Sequence, residues 1–200
     1  MITYRTSIIW SWAAFLLVWG VFAFGVKRDV HGPGYASALW RCWILRLAIA
    51  ALIVVVAVRL DLRAGPGGGD VFSDGAVAFT PPPALGWIAA ALTVIGIGFA
   101  IWARVCLGRN WSPRPAVKEQ HELVTSGPYA FVRHPIYSGV VLAALGAALT
   151  GSVFGIVMFV LVCVTFLSRI GQEETIMRQL FPDQYAAYQA RTKKLVPFVW

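Results

Sequence analysis

The sequence predicts an all-α integral membrane protein with five transmembrane helices. Its N-terminus lies outside and its C-terminus inside, helices four and five form a short hairpin, and a helical segment follows in the cytoplasm. Three observations predict this. Only 13% of the 200 residues are charged and 58% are hydrophobic, with a mean hydropathy of +0.70, whereas a soluble domain carries about 25% charged residues. The apolar residues fall in long uncharged runs. The basic residues gather in alternate loops between those runs, as cytoplasmic loops of membrane proteins do.

The first span covers about Ile8 to Val26. No small-residue cleavage site follows it, so it is expected to be a retained helix and not a signal peptide. The second covers Leu47 to Val58 and extends to Cys42 if Arg46 is admitted. The third covers Ala84 to Ala103. It is preceded by a flexible connector, Gly65-Pro66-Gly67-Gly68-Gly69, and a stiff Pro81-Pro82-Pro83 step. From Ile136 to Ser168 there is no charge at all. As one helix that run would extend ~50 Å at 1.5 Å per residue, against a hydrocarbon core of ~30 Å, so it must fold back. Thr150-Gly151-Ser152 is the natural turn, giving two helices of ~16 residues each, a hairpin over 136–170. Gly139, Ala143, Ala147 and Gly151 recur every four residues and predict a small-residue ridge for close helix approach.

Charge orients the spans. The side shared by the first loop, the third loop and the C-terminus holds most of the seventeen basic residues, among them Lys27, Arg28, Arg104, Arg133, Arg169 and Lys193; the other side keeps Arg5, Arg59 and Arg63. The rich side is placed in the cytoplasm. The net charge of +8 is therefore read as topology, and no nucleic-acid partner is expected. Nine tryptophans suit the headgroup level at helix ends. Cys42, Cys106 and Cys163 are odd in number and form no CxxC pair, so neither a disulfide framework nor a metal site is expected. Residues 1–103 read as a region of three membrane helices and 104–200 as the catalytic region. Beyond Ile170, Glu173 to Arg191 mixes charge with Ile176, Met177, Leu180, Tyr185 and Tyr188. Pro182 and Asp183 are expected to break it into two short helices, acting as an interfacial segment or as a cap over a site.

The chemistry is concentrated in two clusters. Leu123 to Gly139 sets turn formers, a basic residue, a histidine and two tyrosines at the start of the uncharged run. The Ser126-Gly127-Pro128 turn redirects the chain so that Tyr129 and His134 face one pocket. Pro135 suits the first helical turn, and the N–H groups of Ile136 and Tyr137 are then open to a ligand. On spacing alone His134 reads equally as an interface residue that orders a loop. In the second cluster Arg169 and Glu173 share a helix face. They read as a local ion pair in the less favourable order, base before acid, or as an arginine snorkelling from a helix end. They read also as an anion-binding arginine beside an acid that holds a cationic or hydroxylated cofactor.

Arg133-His134-Pro135-Ile136-Tyr137-Ser138-Gly139, followed after the hairpin by Arg169, Glu173, Glu174 and Phe181-Pro182-Asp183-Gln184-Tyr185, resembles the isoprenylcysteine carboxyl methyltransferase family and its phospholipid-methyltransferase relatives. The likeness covers roughly Arg114 to Phe198. It implies S-adenosyl-L-methionine as cofactor and S-adenosyl-L-homocysteine as product. By resemblance, cofactor contacts come from His121, Glu122, Leu123, Val124, Tyr129, His134, Pro135, Ile136, Tyr137 and the Glu173–Glu174 pair. Arg169 matches the position that engages the substrate carboxylate, and Arg169 and Glu173 are the expected catalytic pair. The family's upstream polar contact falls near Arg114, an arginine where a neutral amide is expected. The implied substrate is a lipophilic small molecule entering from the bilayer, with membrane lipids around it and no obligate protein partner. The alanine-rich, lysine-poor composition points to a bacterial inner membrane, and the charge bias puts the site on its cytoplasmic side. N-methylation of a phospholipid amine, S-methylation of a small thiol, and a non-enzymatic membrane scaffold are the alternatives.

Overall fold

The computed structural model describes residues 3–23, 79–108, 111 and 122–200. The second predicted span, the glycine-rich part of the outer loop, Arg114 and His121 lie outside the described residues. Five α-helices are described: α1 (Tyr4–Ala23), α2 (Pro83–Leu107), α3 (Pro135–Ala148), α4 (Val153–Leu180) and α5 (Pro182–Arg191), with a 3-10 turn at Gly127–Ala130 before α3. No strand occurs among the described residues, although a parallel bridge joins Val132 to Lys193. α1, α2 and α4 are long and apolar enough to cross a membrane, and α3 is a shorter apolar helix.

Small residues set the packing. Gly96 of α2 meets Gly139 and Ala143 of α3 so closely that a Cβ on Gly96 would lie 2.5 Å from the Gly139 carbonyl oxygen. Gly146 packs against Ala89 and Thr93 in the same seam, and Gly155 of α4 faces Ala147. The predicted ridge is thus divided. Gly139, Ala143 and Gly146 serve α2, while Ala147 serves α4, because 3.6 residues per turn carries a four-residue repeat slowly around the helix. Buried Thr93 donates to Ala89 O (3.0 Å) and to Ala143 O across the seam (3.3 Å). The hairpin turn falls at the predicted Thr150-Gly151-Ser152. Gly151 has φ +79°, its missing Cβ leaves room for the Phe79 backbone, and the Ser152 hydroxyl caps α4 by accepting from Gly155 N.

The hairpin arms are unequal, 14 and 28 residues, where two arms of similar length were expected. The charged stretch after Ile170 continues α4 without a break and ends at Leu180, one residue before the Phe181-Pro182 step that starts α5. At 1.5 Å per residue α4 is about 42 Å long, so about 12 Å projects beyond a ~30 Å core.

α1 runs parallel to α2. Tyr4 packs on Gly86 and Trp87 at the start of α2, while Trp19 and Phe22 flank Arg104 at its end. Arg104 is 1% exposed, donates to Phe22 O (2.9 Å) and Gly108 O (2.7 Å), and lies 4.6 Å from the Trp111 ring centroid. Its charge is held by helix C-terminal carbonyls and aromatic faces. Ala103, about 30 Å along α2 from Pro83, packs with Tyr129 and Ile136. The His134–Pro135 step therefore sits at one edge of the apolar slab, level with the end of α2.

Candidate active site

Two adjacent carboxylates on α4 face different surroundings. Glu174 is the buried one, its side chain 4% exposed against 21% for Glu173. Its Oε1 accepts from Arg133 Nε at 2.8 Å, and its Oε2 from Arg178 (3.2 Å) and Gln189 Nε2 (3.1 Å). Arg133 also donates to the backbone carbonyls of Gln189 and Thr192. Glu174 thus ties three elements together: the loop before α3, the body of α4 and the end of α5. Glu173 Oε1 accepts from the Tyr137 hydroxyl (2.5 Å) and Arg169 (3.2 Å), while its Oε2 pairs with the His134 ring, 3.5 Å from Nδ1. One acid is filled by Arg133, Arg178 and Gln189; the other is shared between Tyr137, Arg169 and the His134 ring.

His134 lies between them. Its Nε2 is buried, without a hydrogen bond among the described residues, and 3.6 Å from Glu174 Oε1. Burial pushes the ring's pKa down, but interaction with the Glu173 and Glu174 carboxylates outweighs it, and the net shift is upward. Its backbone is fixed as well, since Arg133 N donates to Lys193 O (2.8 Å) and His134 N to Lys194 O (3.1 Å).

Aromatic rings wall the site. His134 stacks on Tyr137 (centroids 5.6 Å apart, planes at 8°), and Tyr137 stacks on Phe166 of α4 (4.1 Å, 11°). The Arg169 guanidinium is 6.0 Å from the Tyr137 ring centre. Behind them Tyr129, Ile136 and Ala103 form a buried cluster against which Val124, Cys106 and Tyr137 pack. Tyr188 of α5 donates its hydroxyl to Tyr129 O at 2.6 Å. Burial pushes that phenol up to about 12, so it stays protonated and keeps donating at neutral pH.

Of the residues singled out in the sequence, His134, Tyr137, Arg169, Glu173 and Glu174 come together in one network, with Val124, Tyr129, Pro135 and Ile136 directly behind it. Glu122 is exposed and Leu123 half-buried beside Val124; neither belongs to that network. Sequence reasoning named Arg133 and Tyr188 without giving either a place in the site, and missed Gln189 and Phe166. The i,i+4 spacings of Arg169 with Glu173 and of Glu174 with Arg178 are the local signals of this ion-pair cluster; the bonds from Arg133 and α5 are long-range.

Residues 89–179 match the model of the isoprenylcysteine carboxyl methyltransferase (ICMT) family. The chain is 35% identical over 120 residues to protein-S-isoprenylcysteine O-methyltransferase B of Arabidopsis thaliana, covering 56% of this chain and 61% of that one. It is 38% identical over 101 residues to the protein-S-isoprenylcysteine O-methyltransferase of Schizosaccharomyces pombe, covering 48% and 43%. The chain thus spans less than two thirds of the length of these relatives. Its fold resembles that of the eukaryotic intramembrane Ras methyltransferase ICMT, with a TM-score of 0.54 and 23% identity over 76% of this chain and 52% of that one.

Two outcomes follow from the network. Arg133→Ala leaves Glu174 buried with its shortest partner gone. The expected cost is about 3 kcal/mol, read as a fall in Tm of roughly 6–12 °C in detergent; an unchanged Tm would refute the linking role. The second concerns pH. A histidine pKa raised on folding gives stability that is complete below its unfolded value and lost as pH rises through the folded value. The Tm of ligand-free protein is therefore expected to fall as pH rises above the ordinary histidine value of about 6.5, and His134→Gln to flatten that slope. Parallel slopes in the two proteins would show that His134 is not the group titrating.

Proposed function

Because residues 89–179 match the model of the isoprenylcysteine carboxyl methyltransferase family, we propose that this integral membrane protein transfers the methyl group of S-adenosyl-L-methionine to a carboxylate on a lipophilic molecule, leaving S-adenosyl-L-homocysteine. The observation that carries the reading is the Arg169–Glu173–Tyr137 junction. It joins a cation near the hydrocarbon edge to the histidine-proline stretch, so a bilayer-borne anion and a water-borne cofactor meet at one place.

The residues fit such a cofactor. His134 Nε2 is a buried polar atom without a hydrogen bond among the described residues, Glu173 is the more exposed of the paired acids, and the adjoining wall is aromatic. Glu173 would hold an ammonium or ribose hydroxyl of the cofactor. His134, Pro135, Ile136, Tyr137, Tyr129 and Val124 would enclose it and exclude water, and His121, Glu122 and Leu123 are added to the proposed contacts by resemblance to the family alone. Glu174, filled by its own partners, takes a positioning role in this reading. When bound, S-adenosylmethionine supplies an electrophilic methyl on a sulfonium, and its displacement depends on proximity and alignment more than on acid–base catalysis. Arg169 orients the substrate carboxylate. That carboxylate is ionised at neutral pH, so no general base is needed. Sharing Arg169 with Glu173 keeps the arginine from pairing so tightly that the nucleophile is blunted.

The reading includes five spans, an N-out and C-in orientation, and a site on the cytoplasmic side of a bacterial inner membrane, with 1–103 as the membrane region and 104–200 as the catalytic region. The parallel course of α1 and α2 supports five spans, since two successive parallel spans require a return crossing between them. Arg104, Arg133, Arg169, Arg178, Arg191, Lys193 and Lys194 all belong to the end that carries the site, and Arg5 to the other, which supports the orientation.

Purified protein given methyl-labelled cofactor and bacterial lipid extract is expected to form a product that releases volatile methanol in base, as a methyl ester does. A base-stable product would move the acceptor to an amine or thiol. Arg169→Ala is expected to lower kcat/KM for the acceptor by about 10- to 100-fold, the worth of a charged hydrogen bond, with a much smaller change in S-adenosylhomocysteine affinity. Equal losses would mean Arg169 serves the cofactor.

A further inference from the structure

The turn Leu195–Trp200 plays no part in the site, yet it is built with unusual care. The N–H groups of Leu195 and Val196 both donate to Trp200 O at 2.8 Å, closing a tight loop. Phe198 sits at φ +67°, a left-handed conformation that is costly for a bulky residue. The loop turns apolar side chains outward: Phe198 is 91% and Val199 74% exposed, and Val196, Trp200 and neighbouring Phe131 are exposed as well. A hydrophobic collapse would have folded such side chains inward.

Its position is fixed. Lys193 and Lys194 bond to Arg133 and His134, and the Ser138 hydroxyl donates to Leu195 O at 2.6 Å. The turn therefore lies against the first turn of α3, level with Ile136 and Ala103 at the edge of the apolar slab. Basic groups rim it. Arg191 and Lys193 are exposed, and Lys194 Nζ lies 5.1 Å from the Trp200 ring centre. Apolar and aromatic side chains at headgroup level, rimmed by cations, match an anionic lipid leaflet.

From this we infer that Leu195–Trp200 is a membrane-docking turn, with Phe198 and Val199 inserted just below the headgroups, among the first acyl-chain carbons, and Lys193, Lys194 and Arg191 on lipid phosphates. Docking would brace the strand-like segment that fixes the His134 backbone. The inference rests on membrane insertion of the helices and not on the methyl-transfer reading, so either can fail without the other.

The test places a cysteine at Phe198, a side chain whose exposure makes Phe198→Cys tolerable to the fold. It carries an environment-sensitive fluorophore, in full-length protein in nanodiscs of phosphatidylcholine with phosphatidylglycerol. Unsubstituted protein taken through the same labelling supplies the background from Cys42, Cys106 and Cys163. Lipids bearing a nitroxide near the headgroup are expected to quench the probe strongly and aqueous iodide weakly. Lys193→Gln with Lys194→Gln is expected to reduce lipid quenching by roughly twofold or more in the anionic nanodiscs and little in pure phosphatidylcholine, as charge attraction requires. Strong iodide quenching without lipid quenching would put the turn in water. Quenching by neither would mean protein, such as a second copy of the chain, covers it. Either result overturns the inference.

Discussion

A buried carboxylate needs compensation wherever it lies, and Glu174 lies almost fully buried just past the apolar part of a membrane helix. Its four nitrogen neighbours come from the loop before α3, from α4 and from α5. An isolated charge there would be prohibitively costly, so the fold at this end is constrained to bring Arg133 and Gln189 to it. Once they are in place, His134 is lodged between two acids, the chain after α5 is drawn alongside residues 132–134, and Glu173, one residue away and about 100° round the helix, is turned toward Tyr137 and Arg169. The geometry of the site follows from satisfying the neighbour that is not itself offered to a ligand.

That constraint acts only because the membrane helices are packed tightly enough to set the level of each group. The seam of Gly96, Gly139, Ala143 and Gly146 brings α2 and α3 nearly into backbone contact, and in lipid such close approach replaces the hydrophobic force that drives soluble cores. α3 is short, so its N-terminus reaches the slab edge where α2 ends, while α4 continues past it. The difference in length creates a step. Arg169 is buried at the step and Glu173 lies one helical turn further on, an arrangement that the proposed function uses to join an acceptor dissolved in the bilayer to a cofactor dissolved in water.

Much of this was legible in the sequence because hydrocarbon thickness is a strict ruler. An uncharged run from Ile136 to Ser168 had to turn, and glycine at position 151 marked where. The histidine-proline stretch and the Arg169–Glu173 spacing were visible as two clusters, and the hairpin requirement brought them together. Other features were hidden for identifiable reasons. The continuation of α4 past Ile170 was visible as far as the shared face of Arg169 and Glu173, but its end at Leu180 was not, because hydropathy reports where the membrane ends and not where the helix ends. The different roles of Glu173 and Glu174 depend on Arg133 and Gln189, 41 and 15 residues away, and no local period encodes such pairings. The outward-facing Phe198 requires a backbone angle that residue type argues against.

The central claim is that the Glu173 side of the paired acids receives S-adenosylmethionine. Calorimetric titration of the purified full-length protein with S-adenosylhomocysteine tests it most directly. One site per chain is expected, with affinity reduced about tenfold or more by Glu173→Gln, the loss of a charge-assisted hydrogen bond. Absence of binding to the folded wild-type protein, or full affinity in Glu173→Gln, would contradict the account.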